Sequence, residues 1–436
     1  MNEPRARTFH VVTVVWGRPY VDLFLNVAVP NQMTPGNLGA LPAGSRYRVF
    51  TSPEDADRLK GSAVLDRVRA QMPVDLMVMP ELSDSSTEAL ARMTAGHCVA
   101  LAEARDERAA LVFLNADHFM SEGALAAVLR RHAAGSRAVA SVGVRLNKDT
   151  FVAGLEARGG LRSVAPRDLV SMAMSNLHPF ALAHMIDGAS TALWPINIYW
   201  RVPREGILAR AFYLHPLMVD PVVREALPKD RFTIDLKYLV GACPRVEQIH
   251  VVTDSDELCL FELSHVDAAV TEIAPGGIPV WRVASILNRC DPHQQSYWAQ
   301  PIRLHAREID REWDVVELQS ARFAERAWRL RIVASWLRTI SRRVNRYRRR
   351  VGELRKRIRR AARPLSPQRV GRAIMTAARQ TPKRGARSAR AGRRMLRRGQ
   401  RSVALFAHSI TRPLLKIRKR AVRVSRRVLR RARLAH

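Results

Sequence analysis

Leu111-Val112-Phe113-Leu114-Asn115-Ala116-Asp117-His118-Phe119-Met120-Ser121-Glu122-Gly123 is the stretch that decides the fold. Its first four residues form an apolar run short enough to be a strand covered on both faces of a parallel sheet. The strand ends in a carboxylate. Ser121 stands where a helix N-cap is expected, ahead of Ala124, Leu125, Val128 and Leu129 on one helical face. In open α/β sheets ligands bind outside the carboxyl ends of strands, where this order puts Asn115 and Asp117. A carboxylate there can hold a divalent cation, and the cation a diphosphate.

Outward from that stretch the chain alternates strand and helix. Phe9 to Val15 is β-branched and ends at Trp16-Gly17-Arg18-Pro19, so it predicts a first strand whose following loop lies beside a base or ribose. Trp16 can stack on the base and Gly17 lets backbone approach. Tyr20 to Val29 predicts a helix, and Pro30 to Ser45 a loop overhanging a site. Tyr47 to Thr51 and Val74 to Met79 are further strands, followed by helices opening at Ser52-Pro53 and at Ser86. The alternation predicts an α/β fold, a mainly parallel sheet flanked by helices.

With that context, Leu-Val-Phe-Leu followed by Asn115-Ala116-Asp117 resembles the Asp-X-Asp element of GT-A glycosyltransferases, so the expected fold is a GT-A-like, Rossmann-type sheet. The resemblance implies a nucleotide-sugar donor, a divalent cation (manganese or magnesium) and transfer of a sugar to a glycan or lipid-linked acceptor. By the same resemblance Asn115 faces the ribose and Asp117 binds the metal, with catalysis centred there. Asn115 brings no charge to a cation. The family commonly completes its metal site with a late-strand histidine, and His215, inside the apolar run Ala211 to Val219, is the candidate.

A second acidic motif competes for the metal. Asp254-Ser255-Asp256-Glu257 holds three acids in four residues, which repel one another unless a cation or base sits among them or they face water at a hairpin tip. Asp254 and Asp256 are therefore the alternative metal pair. Asp235 is a spare carboxylate for a catalytic base or acceptor contact. Elsewhere, Ala138 to Leu146 predicts a strand, Arg167 to Met185 a helix split by Pro179, and Ala192 to Val202 an aromatic-rich strand interrupted by Pro195. Pro279 to Asn288 and Ser296 to Arg303 predict closing helices. These boundaries give a nucleotide-sugar-binding catalytic domain over 1–305 and a connecting helix over 306–337.

Residues 338–436 form a cationic tail. The formal net charge of the 436-residue chain is +34, yet residues 1–337 hold 37 Lys and Arg against 38 Asp and Glu, whereas residues 338–436 hold 36 against a single acid, Glu353. An apolar stripe at Leu330, Val333, Leu337, Ile340, Val344, Tyr347, Val351, Leu354 and Ile358 predicts an amphipathic helix there. Arginine on nearly every other face opposes self-pairing and implies an anionic partner. A membrane surface is the expected one. Nucleic acid or another acidic polymer is the alternative, disfavoured because beyond Trp336 the tail has one Tyr, one Phe and no Trp for stacking. Four widely spaced cysteines without a C-x-x-C pair point to a reducing compartment, and no apolar run reaches the roughly 18 residues a spanning helix needs. The expected location is cytoplasmic, peripheral at the inner face of a membrane. Two other functions fit the same sequence: a non-enzymatic binding protein acting through the tail, and a nucleotidyltransferase using a similar sheet and cation.

Overall fold

The computed structural model describes residues 8–79, 86–160, 162–203, 205–221, 236–268 and 272–331, together with Glu353. The chain falls into two units, Met1–Ile340 and Ser341–His436, and the description is of the first. Asp235 and, apart from Glu353, the whole cationic tail lie outside the described residues.

The strands are β1 (Phe9–Val14), β2 (Arg46–Thr51), β3 (Val74–Val78), β4 (Ala110–Phe113), β5 (His118–Met120), β6 (Ala138–Ser141), β7 (Gly143–Asn147), β8 (Ser190–Ala192), β9 (Asn197–Val202), β10 (Gly206–Ala211), β11 (His215–Val219), β12 (Ile249–Val251), β13 (Leu260–Ser264), β14 (Ile273–Pro275) and β15 (Ile302–His305). Seven of them build a central sheet in the order β12-β6-β11-β4-β1-β2-β3. Its pairs are parallel except those of β11, which runs against β4 on one side and β6 on the other. The expected mainly parallel, helix-flanked α/β sheet is present.

Burial follows the pleat. Val12, Val14, Leu111 and Phe113 enter the core on one face, with Ala100, Leu101 and Ala104 of the helix Ser86–Glu107. Val11, Val15, Val112 and Leu114 enter the core on the other, with Leu125 and Val128 of the helix Ala124–Ala133. Successive side chains of a strand point to opposite faces, so four apolar residues in a row serve two cores at once. Each such side chain, fully buried, contributes about 1.5–3 kcal/mol.

Several elements differ from expectation, for identifiable reasons. Ser121 is not an N-cap: residues 118–120 form β5, the helix starts at Ala124, and its cap is Gly123 in the left-handed conformation (φ 74°). Ser121 Oγ instead accepts the Cys259 N–H at 3.2 Å. The helix's first turn is satisfied from outside, the Leu125 N–H donating to Asn37 Oδ1 at 3.1 Å. Pro35, Gly36 and Asn37, within the expected loop 30–45, are thus anchored to this turn. Buried Asn31 treats Met120 as a strand neighbour would, accepting its N–H at 2.9 Å and donating to its carbonyl at 2.8 Å.

The single strand expected over 138–146 is two, β6 in the central sheet and β7 in a small sheet ordered β5-β13-β7, with Val142 between them. Residues 211–219 likewise split, so His215 opens β11 rather than lying inside a strand. The segment 254–257 joins β12 and β13, which belong to different sheets, so it is no hairpin tip. Residues 302–305 pair with β10 as β15 instead of continuing a helix, which ends at Ala299.

A third core lies between β9–β10 and residues 311–331, which are helical. Trp313 is fully buried there with Trp200, Leu208 and Trp298. Truncating Trp313 leaves a large cavity, so Trp313→Ala should cost about 3–5 kcal/mol in urea unfolding of the full chain, with the m-value unchanged.

Candidate functional site

The central sheet changes direction of winding at β1 and β4: β2 and β3 lie to one side, β11, β6 and β12 to the other. Ligands of open α/β sheets bind outside the carboxyl ends of strands at such a switch point. Trp16 and Gly17 follow β1, Asn115 and Asp117 follow β4, and His215 begins the antiparallel β11 at the same edge. A cavity of about 150 Å³ opens there, lined by Met93, His97, Asn115, Tyr213, His215 and Glu262 among others.

The chain leaves β4 at Leu114 and enters β5 at His118, and the Asp117 carbonyl accepts the Leu263 N–H at 2.8 Å. That bond registers β13 against the loop and brings Glu262 in beside Asp117. Burial, reinforced by the Glu262 charge, pushes the Asp117 carboxyl up to about 7. Glu262 faces the cavity and is held from the other side by Arg145, whose Nε donates to Oε2 at 3.0 Å. Arg145 is itself seated over the Phe180 ring, 4.4 Å from its centre. At Gly143 a Cβ would lie 2.7 Å from Glu262 Oε1, so the glycine leaves the room this carboxylate occupies. Arg145 answers the Glu262 charge directly and acts on Asp117 only through space, so with both carboxylates ionised the group is one positive charge short, which a cation can supply.

Three imidazoles surround the end of β4, all held neutral. The Asn115 N–H donates to His118 Nδ1 at 3.0 Å, and the Phe113 carbonyl accepts from His215 Nε2 at 2.9 Å. The His118 and His215 rings meet edge to face at 4.5 Å. His97, from the helix Ser86–Glu107, packs on Phe113 and lines the cavity with its Nδ1 buried and unpartnered among the described residues. Burial, with His215 adding to it, pushes His97 down to about 3. Desolvation likewise lowers His118 and His215.

Trp16 is partly buried with the Arg92 guanidinium over its ring at 5.2 Å. Gly17 has φ 78°, and nothing lies within 4 Å of where its Cβ would stand, which leaves open space for a ligand's approach. Its N–H is already given to Asp55 Oδ2 at 2.7 Å, so it holds the strand end and is not a free phosphate donor.

Asp254 and Asp256 stand elsewhere on the same edge, beyond β12. Three strand spacings separate β12 from β4, roughly 14 Å across the sheet. There they meet His305, and the possible ligand atoms of the three lie within 4.8 Å of one another, a possible metal-binding group. The structure thus brings Asn115 and His215 to one cavity, sets Asp117 beside its lining residue Glu262 although neither Asp117 nor Trp16 lines it, and puts Asp254 and Asp256 in a second place.

Glu262, Arg145, His97 and His305 escaped the reading of the sequence. For Glu262 a signal existed, a lone acid between Phe261 and Leu263 in an apolar strand. For the others none did, since their partners are set by sheet pairings between distant residues.

No family model matches the chain, and no curated protein matches it. Among solved structures it is similar to the apo crystal structure of mouse xyloside xylosyltransferase 1, at 8% identity and a TM-score of 0.20, over 35% of this chain and 58% of that one. A likeness of that size carries no argument about what the chain does.

The neutral histidines have a measurable consequence. Because the folded pKa of His97 lies below its unfolded value near 6.5, the unfolded state binds more protons as pH falls through 6.5 toward 3, and stability is lost in that direction. His97→Gln should flatten the decline of the urea midpoint between pH 6.5 and 5, where most carboxylates are still ionised.

Proposed function

We propose that the first unit is a glycosyltransferase that takes a sugar from a nucleotide-sugar donor bound at the switch point. The observation that carries this reading is the pair Asp117 and Glu262, two carboxylates brought to the end of β4 beside a cavity. Their mutual repulsion, and the upward displacement of Asp117, suit a divalent cation between them. Such a cation, when bound, supplies Lewis-acid stabilisation of charge on a leaving diphosphate. Asn115, at the cavity wall, offers its amide to a ribose hydroxyl. Trp16 offers a ring face to the base, with Arg92 stacked on it. Uncharged His97 and His215 line the cavity without competing for the anionic diphosphate. The resemblance of Asn115-Ala116-Asp117 to the Asp-X-Asp element supports the same reading.

In this proposal His215 stays a candidate third ligand, since giving its Nε2–H to the Phe113 carbonyl leaves the Nδ1 lone pair for a metal, and Glu262 is a further acid beside Asp117. The basic tail is proposed to hold the enzyme at an anionic membrane surface near a glycan or lipid-linked acceptor. Each Lys or Arg near such a surface contributes about 1 kcal/mol.

Thermal unfolding of the full chain with UDP-, GDP-, CMP- and dTDP-sugars, each with and without manganese, tests the site. One donor should stabilise the protein in a metal-dependent manner, by about 2.7 kcal/mol at a hundredfold excess over its Kd. The effect should vanish in Asp117→Asn and Glu262→Gln and persist in Asp254→Asn. Stabilisation by a nucleoside triphosphate alone would favour the nucleotidyltransferase reading, and none by any nucleotide would leave a binding protein. For the tail, the full chain should sediment with vesicles rich in phosphatidylserine, not with neutral ones, and be released by raised salt. Tighter binding to RNA or DNA than to those vesicles would replace the membrane with nucleic acid as its partner.

A further inference from the structure

We propose that Asp254, Asp256 and His305 form a divalent-cation site, separate from the cavity, that fastens the β12–β13 connection to β15. This inference is independent of the glycosyltransferase reading.

The backbone prepares the site before any ion arrives. The Arg303 N–H donates to the Thr253 carbonyl at 2.8 Å, and the Ser255 N–H to the Arg303 carbonyl at 2.9 Å. Ser255 is fully buried, and its Oγ accepts the His305 N–H at 3.0 Å. Residues 50 positions apart are thereby registered, with Asp254 and Asp256 on either side of the serine and the His305 ring facing both.

His305 supplies the observation that points to a ligand. It is 2% exposed, and both of its ring nitrogens face oxygen. Nδ1 lies 2.7 Å from the Arg307 carbonyl, which can only accept, so Nδ1 bears the hydrogen. In a neutral ring Nε2 then presents a lone pair, 2.9 Å from Asp254 Oδ1 and 3.8 Å from Asp256 Oδ1. A lone pair turned onto carboxylate oxygens is repulsive, and either a second ring proton or a cation must lie there. Metal-ligating histidines characteristically give their other N–H to a backbone carbonyl, as this one does.

Two cations stand nearby and neither fills the role: Arg303 is paired with Glu317 and acts on Asp254 only through space, and Arg167 is held by Asp256 and Glu308. It reaches Asp256 with Nε at 2.9 Å and Nη2 at 2.7 Å and also pairs with Glu308, and no contact to Asp254 or His305 is among its bonds. A carboxylate has about four lone-pair positions, so Asp256 can keep Arg167 and still ligate an ion. The two aspartates are partly exposed, which leaves coordination positions for water. One imidazole nitrogen with two carboxylates suits zinc or manganese better than the all-oxygen preference of calcium or magnesium.

The test uses the untagged full chain, stripped with EDTA and dialysed against zinc or manganese, with bound metal counted by atomic absorption and thermal unfolding recorded alongside. Wild type and Asp117→Asn should each retain metal and unfold at higher temperature with it. Asp254→Asn and His305→Gln should each hold one equivalent of metal less than wild type and lose the matching part of the thermal shift, and the half-exposed Asp256→Asn guards against a variant that merely misfolds. The proposal is overturned if wild type retains no metal, if Asp254→Asn and Asp256→Asn retain as much as wild type, or if the response disappears in Asp117→Asn alone. That last outcome would put the ion at the cavity instead. Absence of donor binding with metal retention intact would sink the glycosyltransferase reading and leave this one standing.

Discussion

The unit depends on the complete enclosure of β4. Ala110 to Phe113 are buried, paired with β1 on one edge and with β11 on the other. A strand held on both edges and both faces has no freedom to drift in register, since a one-residue slip would turn each core inside out. Where it stops is therefore fixed, and so is the point at which Asn115 to Asp117 emerge. The small sheet takes its register from there, through the bond between the Asp117 carbonyl and Leu263 that brings in Glu262.

The surroundings of that point are unusually poor in charge for a place with two acids. Three histidines stand near it and burial keeps all three neutral, while Arg145 is occupied by Glu262. Low local dielectric strengthens whatever electrostatic contact a ligand makes and raises the cost of leaving charge unbalanced. The cavity is preorganised in that sense: His215 is fixed by its bond to the Phe113 carbonyl and Glu262 by Arg145.

Much of this was legible in the sequence wherever periodicity and turn chemistry act locally. The first four sheet strands, the helix opening at Pro53 and the break at Pro179 follow from apolar runs and proline. What failed was where tertiary pairing overrode a local signal. Ser121 has the chemistry of a cap, but Cys259, just ahead of β13, takes its hydroxyl and Gly123 does the capping. Residues 138–146 read as one strand because nothing in an apolar run announces that its two halves belong to different sheets. Asp117 and Asn115 could be singled out from strand context alone. Glu262 was marked by its place in an apolar strand but not by its partner, and His97 and His305 carried no mark at all, because each gains its significance from a residue far away in the chain. Asp254 and Asp256 were visible as a motif, while the histidine that joins them lay just beyond the helix expected to end at Arg303, with no pattern of its own.

The passage at Val142 has a mechanical side. The chain crosses from the central sheet to the small one over that single residue, and again over residues 114–117. Asn115 stands at the central-sheet end of the second crossing, whereas Asp117 is bonded through its carbonyl to Leu263 and keeps company with Glu262 in the small sheet. A ligand that reached Asn115 and the two acids together would tie one sheet to the other, so occupancy of the cavity and stiffness of that joint would rise and fall together.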